Sequence, residues 1–214
     1  MKFLALPLAL ALLMPVAAHA EAVVKPATTP APAIAQVGQP APDFTGTDSN
    51  GTAHKLSDFK GKTVVLEWTN PGCPFVMKHY DSNNMQGVQK AAISDGVIWL
   101  SINSSAEDKE GYQTPAEANA YMKEKGSAPT ARILDPKGDI GHLYGAQTTP
   151  HMYVIDKDGT LVYAGAIDSD NSFKPESIKG ATNYVTAALA DIKAGKPVAV
   201  ASTKAYGCGV KYAN

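Results

Sequence analysis

Short apolar runs alternate with amphipathic stretches along this chain, and the alternation predicts its elements. Asp43 to Thr47 and Thr52 to Lys55 flank Ser49-Asn50-Gly51, a turn composition, and predict a small hairpin. LSDFKGK (56–62) turns the chain into a strand over Thr63 to Thr69. Val64, Val65 and Leu66 are consecutive apolar residues there, as expected of a strand covered on both faces. A helix starts at Pro74, breaks near Asp81 to Asn84 and resumes to about Ile93. VIWLSIN (97–103) predicts a second buried strand, and residues 104–113 a polar loop. TPAEANAYMKEKG predicts a helix capped by Thr114, with Pro115 in its first turn and Gly126 as its stop. ARILD reads as a short strand, and HMYVID and TLVYAG flank the hairpin signal Lys157-Asp158-Gly159. Ile178, Ala181, Val185, Leu189 and Ile192 line one face of a last helix, from about Pro175 to Ala194. The order predicts an α/β fold: a central mixed β-sheet flanked by helices, an N-terminal β-hairpin extension and an extended C-terminal tail.

The ends of the chain read differently. Residues 1–20 combine Lys2, an apolar run and the small-x-small ending Ala18-His19-Ala20, the pattern of a secretory signal peptide. Residues 21–36 are rich in alanine, proline and threonine and read as a flexible arm. The expected domain is 37–195, followed by a tail, 196–214, that carries Cys208. The expectation is therefore an exported protein without stable membrane insertion, in the bacterial periplasm or outside the cell. Without the leader, 18 basic residues face 20 acidic ones, which gives no electrostatic case for nucleic acid. Export permits disulfides, but two cysteines cannot form a scaffold, so the fold must rest on its core.

Candidate chemistry gathers at EWTNPGCPFV (67–76): a strand end, a Pro-Gly turn, Cys73 and a helix start. Pro74 suits the first helical position because its missing N–H would have no partner there. The N–H groups of Phe75, Val76 and Met77, together with the positive end of the helix dipole, would favour a thiolate at Cys73. The other reading is a buried, inert cysteine. Thr148-Thr149-Pro150 precedes the strand His151 to Ile155; its X-Pro bond is either cis, which costs little at proline, or that of an ordinary trans residue opening a strand. If cis, Thr149 would offer its backbone to an extended substrate. Glu67 lies in an apolar strand six residues before Cys73, where burial raises a carboxyl pKa. It is a candidate general base or proton relay, or else a partner for a loop or a lysine. Cys208, in YGCGVKY, follows Gly195 by 13 residues, enough at about 3.3 Å each to cross a small domain. It is a candidate resolving thiol for Cys73, half of a permanent disulfide, or an unpaired tail cysteine. His79, His142 and His151 leave open a copper or zinc site with Cys73, though their spacing forms no tight ligand set.

These motifs resemble the redoxin side of the thioredoxin-like superfamily, the branch of alkyl hydroperoxide reductases and thiol-specific antioxidants. The resemblance spans about residues 37 to 194. It is carried by VGQPAPDF, LSDFKGK, LEWTNPGCPF, ILDPKGDIGHLYGA and TTPHMYVIDKDGTLVYAGAID. It implies a thioredoxin-like fold and a thiol oxidoreductase, with Cys73 as nucleophile and Glu67 as the buried acid serving it. It also implies a substrate between Asn70, Pro74 and the Thr149-Pro150 turn. Val76 stands where a thioredoxin has its second cysteine. Asn70 and Leu66 stand where a peroxiredoxin has threonine or serine and proline, and the sole arginine, Arg132, lies elsewhere in sequence than a peroxiredoxin's. The implied partners are a protein disulfide, small thiol or hydroperoxide as substrate and an external thiol as reductant, with no cofactor. The alternatives are a Cys/His metal-binding module and a non-catalytic structural domain.

Overall fold

The computed structural model describes residues 34–213. The expected signal peptide and most of the arm lie outside the described residues. The central sheet has seven strands: β1 (Thr45–Asp48), β2 (Ala53–Lys55), β3 (Val64–Trp68), β4 (Ile98–Asn103), β5 (Ala131–Leu134), β7 (His151–Ile155) and β8 (Leu161–Gly165). Their spatial order is β2-β1-β5-β4-β3-β7-β8. β3, β4 and β5 run parallel, while β7 and β8 on one side and β1 and β2 on the other run antiparallel. The expected hairpin extension thus enters the sheet, because β1 pairs with β5.

β3 sits between β4 and β7, and all five of its residues are buried, as its apolar run predicts. Its alternate side chains build two cores. Leu66 and Trp68 pack with Ile102, Ile133 and Tyr153, against helix α4 (Asp139–Tyr144). Val65 packs with Val76, Trp99 and Met152, against α1 (Pro74–Asp81), α2 (Asn84–Ser94) and α5 (Tyr184–Lys193). Helix α3 (Pro115–Lys125) lays Tyr121 against Tyr80 of α1 and the Arg132 guanidinium. Its start is the expected one: Thr114 and Glu117 form a reciprocal capping box, and Gly126 closes the helix at φ 60°.

One expectation needs correction. The last helix starts late: residues 175–180 form a 3-10 turn, and Asn183, accepting from the Thr186 N–H at 2.9 Å, caps α5. Ile178 and Ala181 are therefore not on that helix. Helix α4 carried no start signal, since Gly138 precedes it in a left-handed conformation without a side-chain cap. Residues 104–113 form the expected polar loop, which buries Ser104, Ser105 and Gln113. Among the described residues, no helix is long and apolar enough to cross a membrane.

Candidate active site

The nucleophile turn is built at the end of β3. Asn70 Oδ1 accepts from the Gly72 N–H at 2.7 Å, and the Asn70 carbonyl accepts from the Cys73 N–H at 3.1 Å. The Asn70 amide donates to the Glu110 carbonyl at 3.1 Å, tying the turn to the 104–113 segment. All polar groups of the Asn70 side chain are thus engaged within the protein. Cys73 caps α1 and Pro74 takes its first turn, as the sequence predicts. Of the three N–H groups expected around the sulfur, those of Val76 and Met77 donate instead to the Cys73 carbonyl at 2.9 Å. The sulfur instead faces the neighbouring turn, where Cys73 Sγ donates to the Thr149 carbonyl at 3.0 Å. The Thr149-Pro150 peptide is cis. Cys73 is 1% exposed.

The tail covers it. Strand β6 (Thr148–Thr149) pairs antiparallel with β9 (Cys208–Gly209), and Cys208 lies opposite Thr149. Both cysteines are free thiols, and Cys208 is half-buried. Burial first, then hydrogen bonding to Cys73, pushes the Cys208 thiol up to about 12. The approach is close enough to require glycine at Gly207, where φ is 136° and a Cβ would stand 2.0 Å from the Thr149 oxygen. Further contacts moor the tail on both sides. Thr203 Oγ1 accepts from the Ala166 N–H at 2.9 Å. Tyr206 packs on Phe75 and donates its hydroxyl to Asp168. Val210 N–H donates to the Gln147 carbonyl at 3.0 Å, and the Tyr212 hydroxyl donates to the Ala146 carbonyl at 2.7 Å.

Glu67 lies on the core side of this arrangement and is fully buried. Its carboxyl accepts from Tyr80 Oη at 2.7 Å, Trp99 Nε1 at 2.7 Å and Gln89 Nε2 at 3.1 Å. Cys73 is not among its partners. Burial raises the Glu67 pKa despite these bonds and the field of Arg132. Arg132 shares the sheet row of Glu67 across Ser101, so the distant arginine of the sequence reaches this buried network. It donates to Gln113 Oε1 at 2.6 Å. The histidines part company: His79 faces Asp168, His142 stacks on Tyr212, and His151 packs on Tyr153. Burial lowers both His79 and His151 to about 4. Among the described residues, no group of three or more His, Cys, Asp or Glu side chains is placed to hold a metal ion.

Sequence reasoning named Cys73, Cys208, Asn70, Pro74, Thr149 and Pro150, and these come together. It missed Lys78, Asp168 and Tyr206, which join α1 to the tail. A lysine and a histidine side by side on a core-facing helix, at 78 and 79, were the available signal.

Comparison with known proteins gives a consistent picture. The chain matches the AhpC/TSA family over residues 37–164, a span that ends before the tail. It is 29% identical over 132 residues to the thiol-disulfide oxidoreductase ResA of Geobacillus kaustophilus, covering 58% of this chain and 66%, just under two thirds, of that relative. It is 30% identical over 161 residues to a putative chloroplastic peroxiredoxin Q of Oryza sativa, covering 71% of this chain and 67% of that relative. An uncharacterized conserved protein of Geobacillus kaustophilus superposes with a TM-score of 0.70 at 26% identity, covering 83% of this chain and 93% of that one. The chain belongs to the AhpC/TSA family, on a thioredoxin-like fold, among relatives that are thiol-dependent oxidoreductases.

Proposed function

We propose that this protein is an exported two-cysteine thiol oxidoreductase in which Cys73 is the nucleophile and Cys208 the resolving thiol. The observation that carries the reading is the pairing of β9 with β6, which sets Cys208 opposite Thr149 while Cys73 bonds the same residue. With a disulfide substrate, the Cys73 thiolate attacks one sulfur, and the other sulfur leaves as a thiolate. Cys208, having lost its proton, then attacks Cys73 Sγ; the Cys73–Cys208 disulfide forms and the second substrate thiolate departs. With a hydroperoxide, the first step yields an alcohol and a sulfenic acid on Cys73, and the second releases water. Each cycle reduces the substrate by two electrons, and an external dithiol restores both cysteines.

Glu67 serves this cycle as the buried acid beneath α1, with Asn70 and Pro74 shaping the turn and Thr149-Pro150 the opposing wall. Its role in proton transfer runs through its hydrogen-bonded network, since its oxygens bond Tyr80, Trp99 and Gln89. Export rests on the leader-like residues 1–20, and the periplasm is the proposed compartment. The test is Cys73→Ser, which should drop turnover of both disulfide and hydroperoxide to background. Turnover that survives the substitution would end the proposal.

A further inference from the structure

Two charged side chains without a role in the chemistry above lie fully covered between the two cysteine-bearing segments. Lys78 is on α1, the helix that Cys73 opens, and its side chain is 0% exposed. A lysine is almost never buried this deeply without an anion. Its ammonium stands 3.5 Å from Asp168 Oδ2, donates to the Asp170 carbonyl at 2.8 Å, and lies 5.6 Å from the centre of the Tyr206 ring. Asp168, on the loop after β8, is equally covered, and its other oxygen accepts the Tyr206 hydroxyl. Its Oδ2 has no hydrogen-bond donor. His79 adds to the cluster. The Asn84 amide donates to its Nδ1 at 2.8 Å, leaving the ring proton on Nε2, which is 3.8 Å from Asp168 Oδ2. Tyr206 stands two residues before Cys208. Helix, carboxylate and tail are thus joined in one line: Lys78 to Asp168 to Tyr206.

We propose that Asp168 and Lys78 are positioning residues which, through Tyr206, hold Cys208 in register with Cys73. The inference rests on the reading of Cys73 and Cys208 as the redox pair. A buried carboxylate paired with a lysine is a stronger acceptor than a neutral group, so the Tyr206 bond is worth more than a bond between neutral partners. The tail is otherwise held by a strand pair only two residues long, by backbone contacts and by the side chains of Thr203 and Tyr212, neither of which reaches the Cys73 helix. Fixing Tyr206 raises the effective concentration of one thiol at the other, as a short tether does for any paired groups. The latch therefore stabilises the Cys73–Cys208 disulfide relative to the open dithiol.

The test is equilibration of the full protein with glutathione buffers. The disulfide and two glutathiones exchange with the dithiol and one glutathione disulfide, so the ratio at balance reads the effective concentration directly. Tyr206→Phe keeps the ring on Phe75 and removes only the hydroxyl. It should lower the effective concentration about tenfold, the loss expected for one bond to a charged group, moving the potential upward by about 30 mV. Asp168→Asn should lower it by at least as much and carries the test if Tyr206→Phe fails to fold. Circular dichroism of both variants should match the parent, so a general loss of structure would not mimic the effect. If the parent forms its disulfide and both folded variants stay within about twofold of it, the latch is wrong and the redox pair stands. If the parent forms no Cys73–Cys208 disulfide at any ratio, the pair is wrong and the latch falls with it.

Discussion

Cys73 and Cys208 meet at one site, but different kinds of structure bring them there. Cys73 sits at the junction of the central strand and its helix, inside a core that includes Val65, Val76 and Met152. Cys208 lies on a segment after the last helix, held by a two-residue ladder, a few backbone bonds and the side chains of Thr203, Tyr206 and Tyr212. The first is packed into the buried core. The second needs only to break local contacts, which makes the tail the low-stability unit of the pair. In the proposed cycle Cys73 stays in the core, and the tail that carries Cys208 is the segment that has to move.

The largest effects are expected on the core side. Glu67→Leu leaves the Tyr80 hydroxyl and the Trp99 N–H without an acceptor in the core and removes one of the two acceptors of the Gln89 amide. At about 1 kcal/mol or more for each, global stability in urea should fall by about 3 kcal/mol. Glu67→Gln, a milder change, isolates the proton. A carboxyl whose folded pKa is raised above its ordinary 4.5 stabilises the native state fully below that value. Its contribution is lost as pH rises from 4.5 through the folded pKa, because the unfolded chain ionises first. The stability deficit of the Gln variant should therefore shrink as pH rises through that window. A deficit that grows with pH would contradict a raised Glu67 pKa.

Changes on the tail side should spare global stability and act on access to Cys73. Gly207→Ala forces a side chain into the Thr149 carbonyl at a left-handed position. Strain of about 2 kcal/mol in the docked tail should raise the alkylation rate of Cys73 about thirtyfold, with little change in the urea midpoint. An unchanged rate would mean that the tail does not gate this thiol. Tyr212→Phe removes one bond, to the Ala146 carbonyl, on the far side of Cys208. Its effect on the same rate should be the smallest, about fivefold for a loss of about 1 kcal/mol.

The same division governs what the sequence discloses. The strand, turn, Cys73 and Pro74 are consecutive, so their local preferences agree and the site's nucleophile is legible. The Thr114 cap with Glu117 is legible for the same reason, as is the hairpin at Lys157-Asp158-Gly159. Helix α4 is six residues long with no capping side chain before it, so nothing local announces it. The 175–180 stretch has a helical apolar pattern, but Asn183 offers the better cap and the regular helix waits for it. The tail is the extreme case. YGCGVKY contains a cysteine and two glycines, yet its dock is the Thr148–Thr149 backbone, some sixty residues earlier, and backbone pairing leaves no side-chain pattern to read. Lys78, Asp168 and Tyr206 are likewise separate polar residues in sequence and become one cluster only in the folded chain.

The most direct measurement is mass mapping of both cysteines in protein purified without reductant, repeated after brief hydrogen peroxide and again after a thioredoxin-type reductant. The account predicts a Cys73–Cys208 disulfide that forms with peroxide and disappears with reductant. Sulfenic acid on Cys73 with Cys208 untouched, or no change at either sulfur, would contradict it.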